Sequence, residues 1–227
     1  MLDVTAGKNL HTYVPDYVAF DIETTGMSFE NDEVTEIAAE KVQNGRVVDV
    51  FSTLVNPGIS IPPKITELNG ISDDMVKDSP DFKMVLNDFL ALAGDSVLVG
   101  HNISTFDLKF LYRDARRFWG KTIGNDFADT LELSRAYLPD LPRHRLTDLA
   151  EHFGINPDGA HRALADCRMT QKLYECIKKE IENPAEAVRN ARKCPRCGGI
   201  LIKKHGKYGK FLGCLNYPDC RYTENLK

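Results

Sequence analysis

Across 227 residues the chain is 42% hydrophobic and 27% charged, with a formal net charge of −4, which describes a soluble globular protein of one full domain plus a small appendage. No apolar run approaches the ~20 residues of a spanning helix. The start, MLDVTAGKNLHTYVPD, lacks the basic and apolar regions of a secretory signal, so a cytoplasmic location is expected, with no membrane engagement and with cysteines reduced or metal-bound.

Residues 1–15 read as a loose lead-in, and the main domain is placed at 16–182. Its first element is 17–26, YVAFDIETTG, a strand-favouring run that carries Asp21 and Glu23 into a Thr-Thr-Gly turn. Side chains at i and i+2 of a strand share a face, so both carboxylates project together. Like charges so placed repel each other, whereas a divalent cation between them would take oxygens from both. Next, 36–42 and 46–55 read as strands joined by Asn44-Gly45, a strong hairpin signal, so the first three strands are expected to be consecutive and antiparallel. A Pro-rich connection leads to one helical stretch over 73–93, closed by Gly94.

A short apolar strand over 96–99 delivers GHNISTFDLKFL. There Asp107 alone would read as an acid opening a helix, and His101 and Asn102 as loop polar groups. Further helices are expected from Asp129, over 145–153 and from about 161 to 182. In the last, Asp166 falls at the edge of an apolar stripe that includes Ala163, Cys167, Thr170 and Tyr174. His161 stands five residues earlier, roughly 140° away on a helical wheel. It is therefore expected before the first turn, in the loop opened by Pro157-Asp158-Gly159. Strands first and helices afterwards give the α/β class with a mixed sheet.

Residues 183–193 read as a polar linker, and 194–227 as a separate module. Cys194 and Cys197 form C-x2-C, Cys214 and Cys220 form C-x5-C, and sixteen residues lie between the pairs. That pattern describes a closed four-thiolate Zn²⁺ site holding a small β hairpin. Phe211 and Tyr217 are the expected aromatic core of this module, Cys167 a core residue of the last helix, and Cys176 a free thiol. From Val188 onward ten Lys or Arg face two acids, a net +8, while the remainder holds 19 basic and 31 acidic residues, a net −12. The asymmetry suggests a basic tail for a polyanion and a body that meets the same polyanion through metal ions.

Together, FDIETTG, HNISTFD and H-x-x-x-x-D (His161, Asp166) resemble the three motifs of the DEDDh 3′–5′ exonucleases, over about 16–179. The family includes the proofreading epsilon subunit of DNA polymerase III and the exonuclease part of polymerase C. DTLELSR at Asp129 and HRLTDLAEHFGI at His144 are similar to its intermediate segments; Met27 departs from its commoner Leu. The resemblance implies a ribonuclease H-like mixed sheet flanked by helices. It also implies two Mg²⁺ (or Mn²⁺) at Asp21, Glu23, Asp107 and Asp166, with His161 taking the proton from the attacking water and a nucleoside 5′-monophosphate as product. Thr24, Gly26, Met27 and Phe106 would hold the terminal nucleotide, with His101 and Asn102 beside them. The cysteine module resembles the C-terminal zinc fingers of type IA topoisomerases, which bind single-stranded DNA. Tyr208, Phe211, Tyr217 and Tyr222 are then candidates for base stacking, and Lys204, Lys207 and Lys210 for phosphates.

The function so implied is 3′–5′ hydrolysis of single-stranded DNA, with the finger capturing the strand. RNA is the alternative substrate, and a non-catalytic nucleic-acid-binding or polymerase-associated module the alternative role. A polymerase or repair complex is the candidate protein partner.

Overall fold

The computed structural model describes residues 6–157, 159–207, 209–217 and 220–226. Strand β1 (Tyr17–Thr24) pairs antiparallel with β2 (Val34–Gln43), which pairs antiparallel with β3 (Arg46–Leu54) across the Asn44-Gly45 turn. On its other side β1 runs parallel to β4 (Val97–Gly100), which runs parallel to β5 (Phe127–Asp129). The sheet is thus mixed, in the order β3-β2-β1-β4-β5, as the class expected from sequence requires.

Where the sequence suggested one helix over 73–93, there are two, α2 (Asp73–Val76) and α3 (Phe82–Ala93), and α1 (Pro63–Asn69) occupies the Pro-rich connection. Pro80 explains the break, since its ring disfavours helical backbone at Ser79, and Asp81 then caps α3 by accepting from the Met84 amide at 2.9 Å. Pro63, at the first position of α1, fits a helix start rather than a loop. The remaining helices of the body are α4 (Asp107–Trp119), α5 (Thr130–Tyr137), α6 (Leu146–Phe153) and α7 (Ala163–Glu182), with α8 (Glu186–Arg189) in the linker. β5 has only three residues, too few to show alternation in sequence.

The period of two along β1 divides the core. Val18, Phe20 and Ile22 face the layer that holds Phe89 of α3 and Leu108 and Leu111 of α4. Tyr17 and Ala19 face the opposite layer, with Leu149 of α6 and Cys167, Leu173 and Tyr174 of α7. Cys167 is fully buried and its thiol donates to the Ala19 carbonyl at 3.3 Å, while Cys176 is half-buried. The lead-in is more ordered than expected: Asn9 bridges the free edge of β5 at Phe127, and the Tyr13 ring packs on Tyr174 with centroids 5.1 Å apart.

The C-terminal module pairs β6 (Leu201–Gly206) antiparallel with β7 (Gly209–Cys214), and β7 with β8 (Thr223–Asn225). Its interior consists of Cys194, Leu201, Leu212, Cys214 and Cys220 with Tyr222 packed against them. The aromatic core expected at Phe211 and Tyr217 is not formed. On β7, Leu212 takes the interior face and leaves its neighbour Phe211 half-buried; Tyr217 is 53% exposed. Ile202, which points away from that interior, is buried with Leu215 against Ala136 of α5, flanked by Tyr137 and Ile200. Burying Ile202 and Leu215 contributes about 1.5–3 kcal/mol each, so the module is docked on the body rather than loosely tethered. Among the described residues no helix is long and apolar enough to cross a membrane.

Candidate active site

Asp21 and Glu23 lie on the face of β1 that also carries Tyr17 and Ala19, and that face is covered by α7. Asp166, in the first turn of α7, therefore comes down onto the two strand carboxylates. Carboxylate oxygens of Asp21, Glu23 and Asp166 all lie within 4.8 Å of one another. Asp107 arrives from the other layer, at the start of α4, and is 3% exposed. Its Oδ1 accepts the Ile22 amide at 3.3 Å, setting its carboxyl beside the strand between Asp21 and Glu23. Among the described residues, no Lys or Arg makes an ion pair with any of the four acids.

The electrostatic consequence is uniform. Burial, then Asp107, Asp166 and Glu23, hold the Asp21 carboxyl well above the ordinary carboxylate range. Burial pushes Asp107 up to about 7, and it raises Asp166 and Glu23 as well. Buried carboxylates without a cationic side chain suit hard divalent cations, which take oxygen ligands and offset the crowded charge. The donor set thus fits Mg²⁺ or Mn²⁺.

Two residues that were not apparent in the sequence orient this cluster. Asn69, buried at the end of α1, donates from Nδ2 to Glu23 Oε2 at 3.1 Å and accepts the Ile71 amide at 3.0 Å. Glu36, opposite Glu23 on β2, accepts both the Arg162 guanidinium, at 2.7 and 3.0 Å, and the Ala163 amide, at 3.0 Å. It clamps the start of α7 to the sheet.

His161 precedes α7, as the wheel argument required, and is exposed with φ of +68°. Its N–H donates to Asp166 Oδ2 at 3.2 Å. Pro157 and Gly159 flank this loop, while Asp158 lies outside the described residues.

Asp129 caps α5 through the Leu131 amide and also binds the loop before α4. Its carboxylate accepts from the amides of Asn102 at 2.8 Å and Ser104 at 3.1 Å, and from Ser104 Oγ at 2.6 Å. The Asn102 side chain accepts from Thr105 Oγ1 at 2.7 Å. His101 Nδ1 lies 3.0 Å from Thr130 Oγ1, and burial lowers its pKa to about 4, so its ring is neutral. Gly100 admits the close approach of this loop, since a Cβ there would overlap Ile103.

After β1, Thr24 Oγ1 donates to the Gly26 carbonyl at 2.6 Å, and a Cβ at Gly26 would meet the Asp32 carboxylate at 2.5 Å. The glycine is therefore required by the loop itself. Met27 is 81% exposed, which removes plain core packing as its role, whereas Phe106 is half-buried against Phe110.

In the C-terminal module all four cysteine sulfurs lie within 4.8 Å of one another, with Cys194–Cys220 at 3.6 Å and Cys197–Cys214 at 3.4 Å. Bonds of ~2.3 Å from Zn²⁺ to tetrahedral thiolates put sulfurs about 3.8 Å apart, so the set fits zinc. Lys204 is half-buried, 3.6 Å from Glu132 of α5 and over the Tyr217 ring at 5.5 Å. Lys207 and Lys210 are exposed; Tyr208 lies outside the described residues.

Comparison with known proteins matches residues 18–174 to the family described as "Exonuclease" and residues 191–227 to "Topoisomerase DNA binding C4 zinc finger". The chain is 42% identical to the PolC-type DNA polymerase III of Clostridium perfringens over 167 residues, covering 74% of this chain but 11% of that protein. It is 38% identical to the DNA polymerase III epsilon subunit of Aquifex aeolicus, covering 73% of this chain and 81% of that protein. Among solved structures, an E. coli exonuclease I–single-stranded DNA complex superposes with a TM-score of 0.65 at 20% identity, covering 75% of this chain and 42% of that one, a likeness of fold. Exonuclease X bound to 5′-overhanging duplex DNA gives 0.60 at 28% identity, covering 75% and 95%.

Proposed function

Since this chain belongs to the exonuclease family, we propose that it removes nucleotides one at a time from the 3′ end of single-stranded DNA, releasing nucleoside 5′-monophosphates. The observation that carries this reading is the convergence of Asp21, Glu23 and Asp166, with Asp107 behind the strand and no cationic side chain paired to any of them. These four residues would hold two Mg²⁺ or Mn²⁺. When bound, such ions neutralise the phosphodiester and supply an activated water and a stabilised leaving oxygen.

The chain's own residues do the rest. Asn69 holds the Glu23 carboxylate in one orientation through its amide. Glu36 and Arg162 fix the first turn of α7, and with it the carboxylate of Asp166. His161, on its exposed loop, reaches over the cluster and takes the proton from the attacking water, the role for which an imidazole is suited at neutral pH. Thr24, Gly26, Met27 and Phe106 hold the terminal nucleotide; the exposure of Met27 supports an apolar contact between its side chain and a base. The four-cysteine module takes one Zn²⁺ and contacts the strand away from its end.

The test is digestion of 5′-labelled single-stranded DNA and matched RNA with Mg²⁺. Shortening of the DNA in single-nucleotide steps, abolished by EDTA, supports the reading. Release of fragments from the 5′ end, or full activity without divalent metal, overturns it; faster loss of RNA moves the substrate class. This chain spans only about a tenth of the PolC-type relatives, and a polymerase association is a separate proposal. Co-elution of the purified protein with a replicative polymerase at physiological salt tests it.

A further inference from the structure

A groove of about 1050 Å³ runs between the body and the C-terminal module. Its walls carry Arg135, Arg143 and Arg145 from the α5–α6 region, and Arg192, Lys203 and Lys210 from the other side; among the described lining residues the only acid is Asp140. Two of the six cations have partners, Arg145 with Asp148 and Arg192 with Glu224. Arg135, Arg143, Lys203 and Lys210 are exposed and make no ion pair with any described residue. Elsewhere on the body Arg113 and Arg117 are committed to Glu33 and Asp114, Arg162 to Glu36 and Arg168 to Glu40, whereas Arg46, Lys83, Lys172 and Lys179 also make no ion pair with a described residue but do not line the groove. Four unpaired cations facing one groove repel one another unless a polyanion lies between them.

The groove approaches the candidate active site through the loop after β4, although none of the four acids lines it. His101 and Asn102 line one end of it. Ala19 on β1 pairs with Val99 near the end of β4, the last pair of that ladder; Asp21 stands two residues further along β1, and His101 lies just past the end of β4. A strand whose last phosphate lies at the carboxylate cluster can therefore pass over the end of β4 into the groove.

Among the described residues no Phe, Tyr or Trp lines the groove; its floor is aliphatic, including Leu131, Ala136, Ile202 and Leu212. That departs from the stacking surface expected on the finger. Tyr222 is packed against the finger interior, and Lys204 is held by Glu132. Recognition here is through phosphates rather than base faces, which makes it sequence-neutral and salt-sensitive.

We propose that this interdomain groove holds the backbone of the single DNA strand upstream of the terminus being hydrolysed, with Arg135, Arg143, Lys203 and Lys210 on its phosphates. The proposal rests on the exonuclease reading above, and it makes the docked finger one wall of the substrate track.

The experiment measures binding of a fluorescent 20-nucleotide oligothymidylate to the full-length zinc-loaded protein across a salt series, in buffer freed of Mg²⁺ and Mn²⁺ and containing no chelator. It compares wild type, a groove variant (Arg135→Ala, Arg143→Ala, Lys203→Ala, Lys210→Ala) and a charge-matched control (Arg46→Ala, Lys83→Ala, Lys172→Ala, Lys179→Ala). Circular dichroism and zinc content establish that each is folded. At ~0.7 per phosphate, the groove variant should lower the slope of log affinity against log salt by about 2.8, while the control keeps the wild-type slope. Equal slopes for the two variants, or wild-type binding of a blunt duplex as tight as of the single strand, overturn the proposal. Because hydrolysis is excluded from this measurement, failure of the exonuclease reading shows separately, as wild-type protein that binds the strand but does not shorten it in Mg²⁺.

Discussion

The His161 amide donates to the Asp166 carboxylate at 3.2 Å, so the loop histidine and the helix carboxylate are fixed to each other before any substrate arrives. This bond uses the His161 backbone and not its imidazole, to which the proposed proton transfer is assigned. A non-glycine residue at φ of +68° is uncommon and stores strain when the surrounding structure imposes it. His161→Ala keeps the N–H and the loop while removing the ring. Turnover should fall by ~10² to 10⁴-fold with little change in strand affinity. Single-turnover hydrolysis and equilibrium binding separate the two, and near-wild-type turnover would make His161 a bystander.

Asn69 reaches the cluster only through Glu23, so it is a positioning residue. Residues that orient metal ligands typically contribute 10–100-fold in metal affinity or activity. Asn69→Ala should therefore raise the Mn²⁺ concentration for half-maximal activity by about that factor. Excess Mn²⁺ should restore much of the rate, a rescue that a purely structural defect would not show. By contrast, Asp21→Asn should not be rescued, since it removes one of the proposed ligands.

The strands and the order of the site motifs were legible because they rest on local chemistry. Alternation along β1 put Asp21 and Glu23 on one face, and Asn44-Gly45 announced the hairpin that brings β2 alongside. His161 was placeable because five helical steps separate it from Asp166. Asn69 and Glu36 were not legible, because their significance arises only when α1 and β2 are brought against β1 in three dimensions. The split of 73–93 into α2 and α3 was missed because apolar spacing outweighed Pro80, whose backbone effect is local. In the finger, aromatic size suggested Phe211 and Tyr217 for the interior. Strand register instead gave the inward positions to Leu201 and Leu212, on which Tyr222 packs.

The raised carboxyl groups make a signed prediction for the metal-free body. Asp107 titrates near 7 in the folded chain, against about 3.9 when unfolded, so between those values the folded state binds more protons. Stability contributed by this group is present at low pH and lost as pH rises through about 7; Asp21, Glu23 and Asp166 act in the same sense. Asp107→Asn removes the titration, so in EDTA its Tm relative to wild type should increase from pH 5 to pH 8. Added Mn²⁺ should raise the wild-type Tm more at pH 8 than at pH 5, because cations compete with protons for the same oxygens. A Tm difference between the two proteins that does not vary with pH would sink this account.

Docking of the finger can be separated from its folding because β6 alternates. Leu201 faces the four-cysteine interior with Cys194 and Cys214, whereas its neighbour Ile202 faces α5 with Leu215 and Ala136. Ile202→Asp should therefore leave zinc content intact while weakening attachment to the body. If the substitution removes about 2 kcal/mol of burial, the undocked population rises by about 30-fold. Cleavage in the linker over 183–193 follows that population when opening is fast, so trypsin should cut the variant at Arg189, Arg192 or Lys193 about 30 times faster than wild type. Leu201→Asp should instead lose zinc. An Ile202→Asp protein cut at the wild-type rate with zinc retained would mean that the apolar contact on α5 does not hold the finger in place.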